Sequence, residues 1–349
     1  MKKSIFITAL FISLFLSSCD SIGLYFDGGK KTINDQKSTI FVPSDIDLQK
    51  LSILLFENRI INDTSAFIQV GEYKKLSPER LAAGKYEIEP NTDFRKLLNG
   101  FTKNKLGNGN AEKEVEVTFN NCKDIYQVVG KSSNSLELDS TSLINYLVSD
   151  SILVKYGFTQ DKIGAMFLPN TYRMYWDTSE EDFIERMAKE FKLFWTKERI
   201  SKLHDTGLNN QSDAVILASI VYKEQDKYSD EWPIISKLYL NRLKDNWPLQ
   251  SDPTFRFCWG EELDGVQRLT FEHRSLDCPY NTYIYPGLPP GPICIPPADV
   301  IDAVLNPSDD DFMFMCAKPK GEGRHNFAKS LKQHNQNAKL YQEWIRDQN

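Results

Sequence analysis

The pattern of hydrophobic and polar positions predicts two parts of the chain with different elements. Within residues 37–103, β-branched and aromatic residues predict short strands in STIFVP and AAGKYEIEP. Apolar residues at helical spacing predict helices in LQKLSILLFEN, DTSAFIQVGEYKK and FRKLLNGF. The order strand, helix, helix, strand within about fifty residues is typical of a small α+β module. The Gly- and Asn-rich stretch 104–112 then predicts a linker.

The second part, residues 113–349, begins with a predicted strand in EVEVTF and continues with helices. One helical region places large apolar side chains on one face, which predicts a core position for Phe183, Met187, Phe191 and Phe194. Beyond Glu224 the pattern gives way to segments dense in Pro, Gly, aromatic and amide residues. Long ordered loops of this kind usually carry binding surfaces. The predicted fold class is α+β, a small module followed by a larger α+β domain.

One apolar helix runs into an acidic residue. In ILASIVYKEQDK, residues 216–227, every third or fourth side chain falls on one face of a helix. That face carries Leu217, Ile220, Val221 and Glu224. A carboxyl group held against apolar neighbours loses hydration when it ionises, so we expect a raised pKa for Glu224. Glu224 is then either an acid that donates a proton near neutral pH, or an ordinary carboxylate at a fraying helix end.

The N-terminus indicates export and a membrane tether. MKK is followed by an apolar run that stops at Cys19, and this run is shorter than the roughly 20 residues that cross a bilayer. LSSC, residues 16–19, resembles a bacterial lipobox, which implies cleavage before Cys19 and acylation of its thiol. An uncleaved signal-anchor helix is the alternative. Both interpretations make residues 1–19 the signal and 20–36 the tether of a body that lies outside the cytoplasm.

The composition is that of a globular protein without an excess of basic residues. Of 349 residues, 41% are hydrophobic and 26% are charged, and the net charge of -6 argues against nucleic acid as a partner. No C-x-x-C pair or histidine spacing suggests metal ligands, so we expect neither a metal site nor a cofactor. Five cysteines follow Cys19, an odd number that leaves at least one without a partner in the chain. The sequence does not decide whether Cys258 and Cys278 form a disulfide.

Several segments together resemble one family, the endolytic murein transglycosylases of the YceG-like type. The resemblance runs from about Thr39 to the C-terminus, and the segments follow the family's order. They are FLPNTYRMYW at 167–176, LASIVYKEQ at 217–225, NRLKDNWPLQSDPT at 241–254, YNTY at 280–283, GLPPGPI at 287–293, and HNF at 325–327 with a later HN at His334.

The resemblance implies an architecture, an activity and a location. It implies a LysM-like module at 37–103 and a YceG-like catalytic domain at 113–349. The family cleaves peptidoglycan glycan strands between MurNAc and GlcNAc and leaves 1,6-anhydro-MurNAc ends, which implies termination or trimming of nascent strands. It also implies a membrane-anchored enzyme of the cell envelope, with the catalytic domain in the periplasm, the inner membrane favoured, and peptidoglycan synthases as partners. Whether the LysM-like module binds glycan or only positions the catalytic domain stays open.

By matching motifs, the family's catalytic glutamate falls on Glu224. A lytic transglycosylase can use one carboxyl group because the sugar's C6 hydroxyl serves as nucleophile, whereas ordinary glycosidases use two carboxyl groups. The chain departs from the family at two places. Tyr222 stands where many members have another acid, and Ile295, Pro296 and Pro297 stand where Asn-Pro-Gly is usual. The family also uses a transmembrane helix more often than a lipid.

Six further side chains are hypothesised to contact the glycan through hydroxyl, amide, carboxyl or imidazole groups. They are Gln250, Ser251, Asp252, Asn281, Tyr283 and His325. The first three are predicted to lie in an extended segment before Pro253, although Asp252 suits an Asx-type turn equally well. His325 could instead orient an acid. Two other functions are the alternatives: a muramidase with Asp252 as second carboxylate, and a membrane-tethered peptidoglycan-binding protein without activity.

Overall fold

The structure is a computed structural model that describes residues 27–266, 269–321 and 323–348. The predicted export signal and the Cys19 anchor lie outside these residues. Within the described part of the chain, no helix has both the length and the apolar character that crossing a bilayer requires.

Two compact units make up the chain, and the boundary between them is crossed several times. Among the described residues, the first unit contains the chain up to Val117 together with Ser133–Leu138 and Tyr172–Ser179. The second contains Thr118–Ser132, Asp139–Thr171 and the described residues from Glu180 onward. The predicted domain division at 104–112 stays a prediction.

An antiparallel sheet and three helices form the first unit. The strands, side by side in chain order, are β1 Ser38–Val42, β2 Gly84–Ile88, β3 Glu112–Phe119 and β4 Asn170–Tyr175. Ser38 lies opposite Ile88 and Val42 opposite Gly84, so β1 and β2 are antiparallel. The helices are α1 Leu48–Glu57, α2 Thr64–Tyr73 and α3 Phe94–Gly100. Their sequences matched the helices predicted from apolar spacing.

Aspartates start the helices of the first unit, and aromatic side chains fill its core. The side chains of Asp47, Asp63 and Asp93 each accept the backbone N–H three residues later, which satisfies a donor that the helix leaves unpaired. Phe67 and Phe94 are buried and pack edge to face, with ring centroids 5.4 Å apart. The core between sheet and helices is therefore specific as well as apolar.

The second unit is largely helical. Its helices are α4 Ile125–Ser133, α5 Ser140–Leu147, α6 Asp150–Tyr156, α7 Glu180–Phe194, α8 Lys197–Thr206, α9 Gln211–Glu224, α10 Trp232–Lys244, α11 Asp252–Trp259, α12 Phe271–Arg274, α13 Ala298–Leu305 and α14 Leu331–Gln348. A hairpin of β5 Phe314–Ala317 and β6 His325–Ala328 precedes α14. The predicted core face of α7 is confirmed, because Phe183 and Met187 are buried. Helices and strands together confirm the α+β class.

Helix α9 forms the centre of the second unit. Every residue from Asp213 to Val221 is buried, and the helix packs against α10, α11 and α13. The sequence predicted one apolar face, whereas the helix is enclosed on all sides, since Val215 and Ala218 lie off that face and are buried too. Glu224 is thus the last residue of a helix that is packed on all sides.

The long loops after α11 are held at defined points. A disulfide joins Cys258 of α11 to Cys278, so the pairing that the sequence left open is formed. In GLPPGPI, Gly291 lies so close to Asp161 that a Cβ would come within 2.0 Å of the Asp161 carbonyl oxygen. Only glycine fits such a close backbone approach.

Candidate active site

Two hydroxyl groups hold the Glu224 carboxyl at the end of α9. Gln225 leaves the helical conformation, with φ -143° and ψ 98°, and ends the helix. The Tyr239 hydroxyl on α10 donates to Glu224 Oε1 at 2.6 Å, and the Ser251 hydroxyl donates to the same oxygen at 2.5 Å. Among the residues that the structure describes, Glu224 Oε2 has no hydrogen-bond partner. Oε2 is therefore the oxygen available to a ligand.

Burial raises the pKa of Glu224 above its ordinary value. Hydrogen bonds from Ser251 and Tyr239 act in the opposite sense, because they stabilise the ionised form. The nearby charge of Asp252 raises the pKa of Glu224 further, and that of His325 lowers it. The net direction is upward, as the sequence predicted, so the protonated carboxyl persists to higher pH than in a free glutamate.

Ser251 is placed by a network of threonine hydroxyls. It is buried just before α11, where its backbone N–H donates to Thr282 Oγ1 at 3.0 Å. The Thr254 hydroxyl donates to the Ser251 carbonyl at 2.7 Å and lies 2.8 Å from the Thr282 hydroxyl. These contacts fix the start of α11 against the loop that contains Thr282. The Ser251 hydroxyl is thereby aimed at Glu224.

Asp252 and Tyr283 form a second polar pair next to the first. The Tyr283 hydroxyl donates to Asp252 Oδ1 at 2.5 Å, and Arg274 Nη2 lies 3.4 Å from Asp252 Oδ2. Burial, followed by the charge of Asp252, raises the pKa of Tyr283, so its phenol stays a donor. Both carboxylate oxygens of Asp252 are thus engaged by other side chains.

For two of the predicted glycan contacts the structure shows surroundings that the sequence did not indicate. Asn281 is fully buried, and its Nδ2 donates to the carbonyls of Arg274 and Leu276 at 2.9 Å each. Asn281 therefore pins the loop and is not a surface contact. Gln250 is exposed, but its φ of 49° is left-handed, so the segment before Pro253 is bent there and not extended.

His325 is paired with a buried acid. His325 Nδ1 lies 2.8 Å from Glu231 Oε2, and the His325 backbone N–H donates to Glu231 Oε1 at 3.1 Å. Gln225 Nε2 also donates to Glu231 Oε2, at 2.9 Å. Glu231 thus connects the residue after α9 with strand β6. Of the two roles that the sequence left open for His325, the geometry gives it an acid partner, although that acid is Glu231 and not Glu224.

Three side chains of the site were missed from the sequence: Tyr239, Glu231 and Arg242. Arg242 is buried on α10, where its Nε donates to the Met313 carbonyl at 2.8 Å and its Nη1 to the Leu249 carbonyl at 2.5 Å. It fixes the segment that leads to Ser251. The sequence did offer a signal for Arg242, which is a charged residue on the buried face of an amphipathic helix. Such a residue is rarely buried without a partner, so its position indicates a specific contact.

A single carboxyl group with a raised pKa, held at the end of a buried helix and open on one side, defines a candidate acid–base enzyme. The chain belongs to the YceG-like family, whose sequence profile matches residues 40–340. The family resemblance drawn from the motifs is thereby confirmed.

Named relatives support the same family. An endolytic murein transglycosylase of Bacillus subtilis is 28% identical over 333 residues, which cover 88% of this chain and 86% of the relative. An endolytic murein transglycosylase of Streptococcus pneumoniae is 23% identical over 86% of this chain, which spans only 57% of that relative's length. The crystal structure of a YceG-like protein from Listeria monocytogenes matches with a TM-score of 0.54 and 24% identity, covering 87% of this chain and 99% of that one. The structural likeness shows the shared fold.

Proposed function

We propose that this protein is an endolytic lytic transglycosylase that cleaves the MurNAc–GlcNAc bond of peptidoglycan glycan strands. The family match and the names of the relatives support this class of reaction. The observation that carries the proposal is the Glu224 carboxyl, whose Oε1 receives two hydroxyl donors while Oε2 stays open among the described residues.

In the proposed mechanism Glu224 takes part in two proton transfers, first as acid and then as base. The protonated carboxyl first donates its proton to the glycosidic oxygen as the bond from MurNAc C1 to that oxygen breaks, which releases GlcNAc with a free hydroxyl. The carboxylate then accepts the proton of the MurNAc C6 hydroxyl, whose oxygen bonds to C1. The product is a 1,6-anhydro-MurNAc end, no water is consumed, and Glu224 is protonated again.

The hydroxyl donors suit an acid that must also become a base. Tyr239 and Ser251 stabilise the carboxylate that exists between the two proton transfers. Burial favours the protonated form that begins and ends the cycle. The two opposed effects keep both forms of Glu224 accessible, which an acid–base catalyst needs.

A muramidase would need a second carboxylate that can activate water or attack the sugar. Asp252 was the candidate from the sequence, but Tyr283 and Arg274 engage its two oxygens. This arrangement favours the mechanism with one acid. Asp252 then serves chiefly to hold Tyr283 and to raise the pKa of Glu224.

The cellular setting is part of the proposal. We propose that a lipid on Cys19 holds the protein on the membrane of the cell envelope, where it terminates or trims nascent strands beside peptidoglycan synthases. The basic start, short apolar run and LSSC of residues 1–19 support the tether. We further propose that residues 37–103 act as a LysM-like module and residues 113–349 as the catalytic domain.

Digestion of purified peptidoglycan by wild type and Glu224→Gln tests the function. We expect wild type to release anhydro-ended fragments, which mass spectrometry separates from reducing ends by one water. Glu224→Gln should be slower by about 10²–10⁴ or more. Glu72→Gln, a change of an exposed glutamate on α2, is the matched control and should keep full activity.

Three results would contradict the proposal in different ways. Reducing ends from wild type would identify a muramidase. Equal turnover by Glu224→Gln would remove Glu224 from the chemistry. Strand binding by wild type without any turnover would identify a binding protein.

A further inference from the structure

A groove of about 420 Å³ opens beside the end of α9. Its lining includes Lys223 and Pro253, which are the chain neighbours of Glu224 and Asp252. Consecutive Cα atoms are only about 3.8 Å apart. The backbone at Glu224 and Asp252 therefore borders the groove, and we place the substituents of a sugar held for cleavage there.

The charged residues of this groove leave two ammonium groups uncompensated. Lys123, Lys223, Arg256 and Asp264 line it. The Arg256 guanidinium donates to the carbonyls of Leu263 and Val266, which lie on either side of Asp264 in the chain. Neither lysine forms an ion pair with any other residue in the described part of the chain. The lysines come from positions 100 residues apart in the sequence and meet only in the folded unit.

The side-chain amide of Asn121 adds a hydrogen-bond donor to the two lysine ammonium groups of the groove. Asn121 lines the same groove with a left-handed φ of 49°, and its Oδ1 accepts from the Tyr222 hydroxyl at 2.9 Å. Its Nδ2 has no hydrogen-bond partner among the described residues. Asn121 and Lys223 also line an adjoining cavity of about 260 Å³. An amide donor beside two ammonium groups is a set that recognises a peptide carboxylate.

We propose that this groove binds the carboxylates of the peptide stem that MurNAc carries next to the bond to be cleaved. The inference rests on the proposed function and names the part of the substrate that the groove selects. Sugar hydroxyls and acetamides are neutral, and the lactyl carboxyl of MurNAc is taken up in the amide bond to the stem, so the stem carboxylates are the anionic groups of a stem-bearing, lipid-free strand. The enzyme then cleaves stem-bearing strands in preference to strands from which the stems have been removed.

The test compares kcat/KM on three forms of one preparation of uncross-linked, lipid-free strands. The first form keeps its stems, the second has lost them to an amidase and has its newly freed lactyl carboxylates converted to amides, and the third keeps stems whose carboxylates have been converted to amides. We expect wild type to prefer the first form over both others. Lys123→Gln and Lys223→Gln should each reduce that preference about two- to fivefold, through KM, and the double variant roughly tenfold.

Two further variants separate charge recognition from general effects. Lys223→Arg keeps the positive charge and should keep the preference. Lys189→Gln removes an exposed lysine of α7 that does not line the groove, and its preference should equal that of wild type. Because each preference is a ratio measured on one enzyme, a shift in the pKa of Glu224 caused by Lys223→Gln cancels.

Two results would overturn the inference while leaving the proposed function intact. They are equal wild-type cleavage of all three forms into anhydro ends, or full retention of the preference by the double variant. If wild type cleaves none of the strands, the proposed function itself fails.

Discussion

The two oxygens of the Glu224 carboxyl have different surroundings, and the difference assigns their roles. Oε1 accepts from Tyr239 and Ser251, and Oε2 is open among the described residues. A carboxylic acid carries its proton on one oxygen, and the oxygen with two donors already aimed at it is the poorer place for a third hydrogen. The transferable proton therefore belongs on Oε2.

Tyr239→Phe should move the alkaline limb of the activity profile to higher pH. The Tyr239 hydrogen bond lowers the pKa of Glu224, so its loss raises that pKa further. Glu224 must be protonated in the first step, so kcat/KM falls as pH rises through its pKa. The measurement is kcat/KM against pH for wild type and variant. A limb that stays in place or moves to lower pH would show that Tyr239 does not tune this acid.

The sequence indicated Glu224 as the candidate acid and its raised pKa, but not the residues that control it. The motif LASIVYKEQ marks the acid, whereas its donor Tyr239 lies on the next helix and Ser251 lies 27 positions away in the chain. Hydrogen bonds across such separations depend on helix packing, which local periodicity does not specify. The same limit explains why Asn281, an ordinary amide in the sequence, proved to be buried.

At the scale of elements, a buried acid joins α10 to the hairpin of β5 and β6. Glu231 precedes α10 and accepts from the His325 ring and backbone and from Gln225. Burial raises the pKa of Glu231, but these hydrogen bonds lower it by more, so the net pKa lies below its ordinary value. Ionised Glu231 therefore stabilises the fold above the unfolded-state pKa of about 4.3, and this stabilisation is lost as pH falls through the folded-state pKa.

Glu231→Gln should lower the free energy of unfolding at pH 7 by about 2 kcal/mol, because hydrogen bonds to a charged group are lost. The difference from wild type should shrink below about pH 4, where wild-type Glu231 also becomes neutral. Urea unfolding at pH 7 and at pH 3.5 measures both values, with the exposed Glu57→Gln of α1 as control. A difference that does not change with pH would contradict the assignment.

The disulfide of α11 should stabilise the loops around the site. Cys258 and Cys278 are 20 positions apart, and closing a loop of that length stabilises a fold by about 3 kcal/mol. We expect Cys258→Ser with Cys278→Ser to lower the free energy of unfolding by about that amount and to reduce kcat, because α11 begins beside Ser251. Urea unfolding and digestion assays measure the two effects. Cys316→Ser, which removes a free thiol, is the control.

Elements were more predictable than their ends or their surroundings. Apolar spacing located α1, α2 and α7, because periodic burial shapes each of them. In α9 the same reasoning predicted one buried face, but packing against several helices buries the rest. The periodicity of polar residues marks the helix faces that contact water, and a helix at the centre of a core has no such face.

At the scale of the whole molecule, the chain does not fold as segments placed end to end. The unit that contains residues 37–103 also takes in Ser133–Leu138 and Tyr172–Ser179. Composition gave a plausible boundary in the Gly- and Asn-rich stretch, since such residues favour turns. Composition could not indicate that the two later segments belong to the first unit, because that depends on contacts between residues far apart in the sequence.

Cys19→Ala should release the protein from the membrane. If the thiol carries the anchoring lipid, its loss prevents acylation, and the protein should leave the membrane fraction or accumulate unprocessed. Fractionation of cells and incorporation of labelled fatty acid measure the two effects, with Cys316→Ser as a control that keeps its label. A Cys19→Ala protein that is unlabelled like wild type and equally membrane-bound would identify an uncleaved signal-anchor helix.

The place of Glu224 at the very tip of α9 has a practical consequence. Interior residues of that helix are enclosed by neighbouring helices, whereas Glu224 is its last residue and accepts two hydroxyl donors that an amide oxygen can also accept. Glu224→Gln should thus give a well-folded chain that binds an intact glycan strand and cleaves it about 10²–10⁴ times or more slowly than wild type. This slow variant can capture, on a column or in a crystal, the strand that the wild-type enzyme cleaves.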